Sequence, residues 1–239
     1  MLPRPLLLGH RGARALSSVP ENTLPSFDLA LSHGCDGFEF DVRLAKRGCA
    51  VICHDAEFRG VPVSQIYDAQ SMNLPTLQDV LRKFSKQAFL DIEIKVPGLA
   101  SEVLLAISEH PPERGYVVSS FLPDVLTDLN AREDSIPLGF IVDERNNLPH
   151  WRDLAVQYVI PQHSLVTPEL VQEVHEADRI LLTWTVNDAR RMRLLATWGV
   201  DGIISDQTEL LVKTLRARAT DHEAQAAESI KSPDSPSGV

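Results

Sequence analysis

The sequence predicts an α/β fold, a TIM (β/α)8 barrel, on three observations. β-rich runs alternate with helix-period segments along 239 residues. Nine such runs are present, but one gap is too short for a parallel crossover, so eight remain to close a barrel. Polar residues gather at the C-terminal ends of the runs, where barrel enzymes keep their sites.

The elements follow in order. The first run, "PLLLG", ends in His10-Arg11, and a loop carries the chain to "PENT". The second, "GFEFDVRL", holds Glu39 and Asp41 two apart, on one side of a strand. Only Arg43 to Ala50 separate its "FEFDV" from "VICHD", and "KRG" at Lys46–Gly48 is turn-like. A β-hairpin extension therefore follows strand two. Folded about Arg47–Gly48, it sets Asp41 opposite His54. A helix starts at the capping Thr76 and aligns Leu77, Val80, Leu81 and Phe84. "FLDIEIK" brings Glu93 and Lys95, again two apart. "YVVSSF" ends in Phe121, "PLGFIV" follows, and "YVIPQ" leads to His163. Thr167 and Pro168 open the next helix. "LLTWTVN" carries Trp184, a helix runs from Asn187 or Asp188 to Gly199, and "GIISD" ends in Ser205-Asp206.

Composition narrows the class. Hydrophobic residues make up 44% and charged residues 23%, as in soluble globular proteins. A net charge of −10 and a pI near 5.2 exclude nucleic acid as the main partner. Three cysteines, Cys35, Cys49 and Cys53, form no C-x-x-C and fit a reducing compartment. No apolar run reaches the roughly 20 residues of a transmembrane segment, and the N-terminal run is too short for a signal peptide. A cytoplasmic location is expected. The pattern carries no signature of an oligomeric state. Residues 1–218 are read as one catalytic barrel domain. Residues 219–239 are poor in large apolar residues and rich in Ser, Pro, Ala and acid, and read as a disordered or partly helical tail.

Glu39, Asp41 and Glu93 make an oxygen-only set, which suits a hard divalent cation, Mg²⁺ or Ca²⁺. His10 and His54 are candidate acid and base, because imidazole titrates near neutrality. Arg11 and Lys95 are fixed cations in the same place. They either grip an anion such as phosphate or balance the carboxylates directly. Phe121 and Trp184 end strands on the same rim and either line a pocket or pack the core.

In this order, "HRG", "PENT", "FEFDV", "ICHD", "LPTLQDVL", "IEIK", "TWTVN" and "GVDGIISD" resemble the glycerophosphodiester phosphodiesterase family, from Leu6 to about Asp206. The resemblance implies a TIM barrel that hydrolyses glycerophosphodiesters, small-molecule phosphodiester substrates, to glycerol 3-phosphate and an alcohol with a divalent metal. Carried over by motif, it implies His10 and His54 as catalytic histidines and Glu39, Asp41 and Glu93 as metal ligands. Arg11 and Lys95 become phosphate contacts, Phe121 and Trp184 line the substrate, and Glu21 and Asn22 of "PENT" support the site by hydrogen bonds. The sequence departs from the family at "AKRG" and "SDQT". Only "AEFRGVPVSQIYDAQSMN" separates His54-Asp55 from "LPTL", a shortened cap insertion. A short cap implies an open mouth and admits a lysophospholipase D-like activity on bulkier substrates. A non-catalytic, headgroup-binding barrel is the alternative of another class.

Overall fold

The structure, a computed structural model, describes residues 4–216; the tail read at 219–239 lies outside the described residues. β1 (Leu6–His10) leads through α1 (Leu24–Ser32) to β2 (Gly37–Leu44), and a hairpin returns β3 (Ala50–Ile52). The cap holds two short strands, β4 (Glu57–Phe58) and β5 (Val61–Pro62), before α2 (Leu77–Phe84). Strands and helices then alternate through β6 (Phe89–Ile94), α3 (Ala100–Glu109), β7 (Tyr116–Ser120), α4 (Pro123–Arg132) and β8 (Leu138–Val142). Only a 3₁₀ turn, Leu148–Asp153, precedes β9 (Tyr158–Pro161). α5 (Pro168–Glu176), β10 (Ile180–Thr183), α6 (Ala189–Trp198) and β11 (Gly202–Ser205) follow, then a helix over 208–216.

Eight strands pair in the order β1-β11-β10-β9-β8-β7-β6-β2, and β1 pairs with β2 to close the ring. All eight ring contacts are parallel. The TIM barrel is thus formed, with β3 antiparallel on β2 outside it.

The period-2 alternation of a strand divides the core in two. One set of residues, Leu8, Phe89, Val117, Ile141, Ile160, Leu182 and Ile204, fills the barrel interior. The alternate set, including Leu7, Phe38, Phe40, Leu90, Ile92 and Val118, packs against the helices. Phe38 stacks on Phe27 of α1 at 4.3 Å and meets the edge of Phe84 of α2 at 5.1 Å. Aromatic pairs of this kind contribute about 0.5–1.5 kcal/mol each beyond burial. They clamp β2 from outside, and its inward residues, Glu39 and Asp41, are fixed in consequence.

Helix caps follow the sequence signals. Thr76 and Asp79 form a reciprocal capping box on α2, and Asp188 accepts from Arg190 N and Arg191 N to open α6. Gly199, at φ 88°, ends α6 in the left-handed region.

The hairpin differs from expectation by one residue. Val42 pairs with Ile52 and Leu44 with Ala50, so Asp41 stands opposite Cys53, whose N–H donates to the Asp41 carbonyl at 3.0 Å. His54 is not opposite Asp41. The cause is the turn, which takes three residues, Lys46–Gly48, centred on Arg47. Arg47 (φ 68°) and Gly48 (φ 83°) are both left-handed. An odd loop shifts the register by one. β3 also ends at Ile52, so sheet pairing does not aim the His54 side chain.

The cap packs onto the hairpin. Val63, Ile66, Ala69 and Leu74 bury with Ala45, Val51 and Cys53. It forms one wall of a cavity of about 410 Å³ whose other wall is the "PENT" loop. Among the described residues, no helix is long and apolar enough to cross a membrane.

Candidate active site

β2 and β6 pair in register, Asp41 beside Glu93. That places the carboxylates of Glu39, Asp41 and Glu93 in one cluster, with one oxygen from each lying within 4.8 Å of the others. All three are buried, at 3%, 0% and 7% exposure. Burial, then the charges of Asp41 and Glu93, hold the Glu39 carboxyl well above the ordinary range. Burial and Asp41 push Glu93 up to about 7, against the pull of Lys95.

The chain's cations answer this charge. After β1 the backbone turns sharply, Arg11 at φ 51° and Gly12 at φ 82°. A non-glycine residue there is strained by about 1 kcal/mol. Three bonds hold it: Arg11 N donates to Glu39 Oε2 at 2.9 Å, and the Arg11 carbonyl accepts from Asn22 N and Ser26 Oγ. The Arg11 guanidinium reaches Glu21 Oε1 at 2.8 Å and Asp41 Oδ2 at 3.2 Å. Asn22 donates its amide to Asp41 Oδ2 at 2.8 Å. Lys95 Nζ pairs with Glu93 and lies 3.3 Å from Asp41 Oδ1. The reading in which Arg11 and Lys95 balance the carboxylates therefore describes the structure as it stands. It leaves a remainder: Glu39 Oε1 is buried with neither a hydrogen bond nor an ion pair, and Asp41 Oδ1, buried without a hydrogen bond, has only the Lys95 ammonium at 3.3 Å. An orphaned carboxylate oxygen in a buried all-oxygen set suits a hard divalent cation, and these residues fit one.

The two histidines are not alike. His10 is 7% exposed at the end of β1. Its Nδ1 meets Asp206 Oδ1 at 2.7 Å, and its Nε2 lies 3.7 Å from Glu39 Oε2. Burial depresses its pKa, against the hydrogen bond it donates to Asp206. Asp206 itself, despite burial, is brought down to about 2 by its bond to His10. Among the described residues, His54 forms no hydrogen bond or ion pair with Glu39, Asp41 or Glu93. It lines the 410 Å³ cavity with Glu21, Asn22 and Phe58 and bonds Asp55 at 2.8 Å.

Phe121 and Trp184 meet edge to face at 5.4 Å. Lys95 Nζ sits 5.6 Å from the Phe121 ring centre, and Trp184 lines the small pocket holding His10, Glu39, Asp91 and Glu93.

Sequence reasoning missed Asp91 and gave Asp206, Asn187 and Arg14 no role. Asp91 lies on the same face as Glu93, fully buried, with Ser119 Oγ donating to Oδ1 at 2.5 Å. Burial first, then Glu93 and Asp41, raise its pKa to about 7 although Ser119 opposes them. The signal was present in "DIEIK": three charged residues at period two in a buried strand.

Carboxylates, cations and a braced histidine at the C-terminal mouth of a TIM barrel define a hydrolase of phosphoric diesters. The chain belongs to the glycerophosphoryl diester phosphodiesterase family, whose profile matches residues 10–210. It is 29% identical over 241 residues to a glycerophosphodiester phosphodiesterase of Caldanaerobacter subterraneus subsp. tengcongensis, covering 88% of this chain and 98% of the relative. A glycerophosphodiester phosphodiesterase of Thermotoga maritima superposes with a TM-score of 0.76 at 26% identity, over 89% of this chain and 99% of that one. A phosphodiesterase of Oleispira antarctica, solved with the product sn-glycerol-3-phosphate, shares the fold with a TM-score of 0.76 at 24% identity, over 88% and 96% of the two chains.

Proposed function

We propose that the protein hydrolyses glycerophosphodiesters to glycerol 3-phosphate and an alcohol, with Glu39, Asp41 and Glu93 holding a divalent cation, Mg²⁺ or Ca²⁺. One observation carries this reading. Three buried carboxylates converge with two oxygens that accept no hydrogen bond, between a buried histidine and two cationic side chains. A cation held by Glu39, Asp41 and Glu93 would supply fixed positive charge to stabilise the phosphoryl group as it reacts.

The chain's own residues do the rest. Arg11 and Lys95 exchange part of their carboxylate pairing for the substrate phosphate, Arg11 through its planar fork and Lys95 as a point charge. One of His10 and His54 takes the proton from the attacking hydroxyl or water, and the other protonates the leaving alcohol. Trp184 and Phe121 line the substrate beside Lys95 and the carboxylate cluster. Glu21 and Asn22 hold Arg11 and Asp41 in place. A binding-only barrel has no use for a paired acid and base.

Glycerophosphocholine turnover with Mg²⁺ or Ca²⁺, and again with EDTA, tests the assignment. Activity lost with EDTA, and a drop of about 10²–10⁴ in kcat for His10→Ala and for His54→Ala, is the expected result. Near-normal kcat in both variants would sink the two-histidine mechanism. Binding of glycerophosphocholine without turnover would make the protein a binding barrel. Faster turnover of lysophosphatidylcholine in parallel would move the substrate to bulkier lysophospholipids.

A further inference from the structure

We propose that the cavity between the cap and the "PENT" loop is a subsite for an ammonium headgroup. Phe58 is its aromatic wall, and Arg59 is a resident cation that the headgroup displaces. The subsite rests on the phosphodiesterase reading above and names the class of alcohol released, one that carries a quaternary or primary ammonium.

The cavity holds about 410 Å³, within the roughly 300–1,000 Å³ of small-ligand sites. Asn22 borders it and donates to Asp41, so the cavity begins one residue away from the carboxylate cluster. His54 borders it as well. A phosphodiester has two arms. With its phosphate at the cluster, the arm that passes His54 enters this space.

The charge of the walls favours a cation. Three acidic residues, Glu21, Asp55 and Glu57, border the cavity against one arginine, Arg59. Glu21 is already paired with Arg11 and Arg14. The Asp55 side chain is 80% exposed and bonds its neighbour His54 through one oxygen. Glu57 is exposed and forms no ion pair among the described residues. An anionic arm is repelled by Asp55 and Glu57, and a neutral polyol gains no charge attraction from them. An ammonium does.

Phe58 and Arg59 stand at the tip of the β4–β5 hairpin. Phe58 pairs with Val61, so the loop is two residues, Arg59 (φ 51°) and Gly60 (φ 76°). Two left-handed residues make a tight turn that asparagine-glycine fills best. Local backbone preference therefore does not account for an arginine. Its side chain does something else: the guanidinium lies over the Phe58 ring, 5.1 Å from the ring centre. A cation thus already sits on the aromatic side chain that borders the cavity. Arg59 is exposed, so its guanidinium can leave the ring for water at little cost. A substrate ammonium then takes its place, with Asp55 and Glu57 as counter-charge.

With the full chain and Mg²⁺, kcat/KM is measured for glycerophosphocholine and for glycerophosphoglycerol, whose second arm is neutral. The ratio of the two is the readout. The parent should favour the choline diester. Phe58→Leu keeps an apolar side chain without a ring and should lower the ratio about two- to fivefold. Glu57→Gln should lower it as well. Arg59→Asn suits the turn and removes the resident cation. It should raise the ratio about two- to fivefold, a gain that a misfolded cap cannot produce. Saturation-transfer NMR of free choline, with Mg²⁺ and no diester, reads the cavity without turnover. The choline methyl signals should respond with the parent, more strongly with Arg59→Asn, and little with Phe58→Leu.

A ratio lowered by Arg59→Asn would make Arg59 an anion clamp and overturn the ammonium subsite. A ratio unmoved by the three variants would overturn it too, while turnover of both diesters leaves the phosphodiesterase reading standing. A parent inactive on both diesters removes that reading. Choline signals that Phe58→Leu abolishes would then still support an ammonium site in the cavity, and their absence would overturn it.

Discussion

Asp91 is a carboxyl group with one bonded oxygen and one that meets no partner. Its pKa of about 7 in the folded chain lies well above the unfolded value near 4, mainly through burial. Between these two values the folded state keeps the proton and the unfolded state has lost it. Stability is therefore full below about pH 4 and falls as pH rises toward 7. Asparagine keeps the Ser119 bond through its oxygen and carries no charge. In metal-free protein, Asp91→Asn should add about 4 kcal/mol at pH 8 and next to nothing at pH 4. Urea unfolding at the two pH values checks this. An equal effect at both would show that Asp91 is not a proton-holding group. The residue also marks a limit of sequence reading. "DIEIK" shows which side chains share a face, but not which of them lies deep enough to be desolvated.

At the scale of elements, the close approach of β2 and β6 decides the site. Gly37 is paired with Phe89 at the base of this contact, and a Cβ there would sit 1.8 Å from the Phe89 carbonyl oxygen. Backbone cannot move out of the way without separating the strands that carry Glu39, Asp41 and Glu93. Gly37→Ala should cost about 3 kcal/mol or more, read as a lower Tm or loss of soluble protein. A parent-like Tm would mean the strands tolerate a wider spacing. Elements were mostly legible beforehand because their signals are local. All nine strand patterns form strands, and Thr76, Thr167 and Gly199 bound helices as their chemistry dictates. The hairpin register was not legible. It turns on whether Arg47 is left-handed, and arginine gives no such signal. The bond between His10 and Asp206 was hidden for another reason: the two are 196 residues apart, and only barrel closure brings their strands together.

The whole molecule carries a net charge of −10 yet arranges its mouth as a chain of alternating charge. His10, Asp206, Arg14, Glu21, Arg11, Asp41, Lys95 and Glu93 follow one another in contact. This links β1, β2, β6 and the segment after β11. The chain is short of positive charge at one place, the cluster of Glu39, Asp41 and Glu93, where burial and mutual repulsion oppose folding. A group that binds only the folded cluster must stabilise the whole barrel by mass action. At 100 times its dissociation constant, Mg²⁺ or Ca²⁺ should add about 2.7 kcal/mol, a rise of about 5–11 °C in Tm for a chain this size. Replacing the three acids together by Glu39→Gln, Asp41→Asn and Glu93→Gln should abolish that rise. It should also raise the Tm in EDTA, because the repulsion is gone. Thermal unfolding of both proteins with EDTA, Mg²⁺ and Ca²⁺ makes the comparison without any assay of activity. A parent Tm indifferent to both cations, or a rise that survives the triple change, would place the cation elsewhere and leave Arg11 and Lys95 as the cluster's only counter-charge.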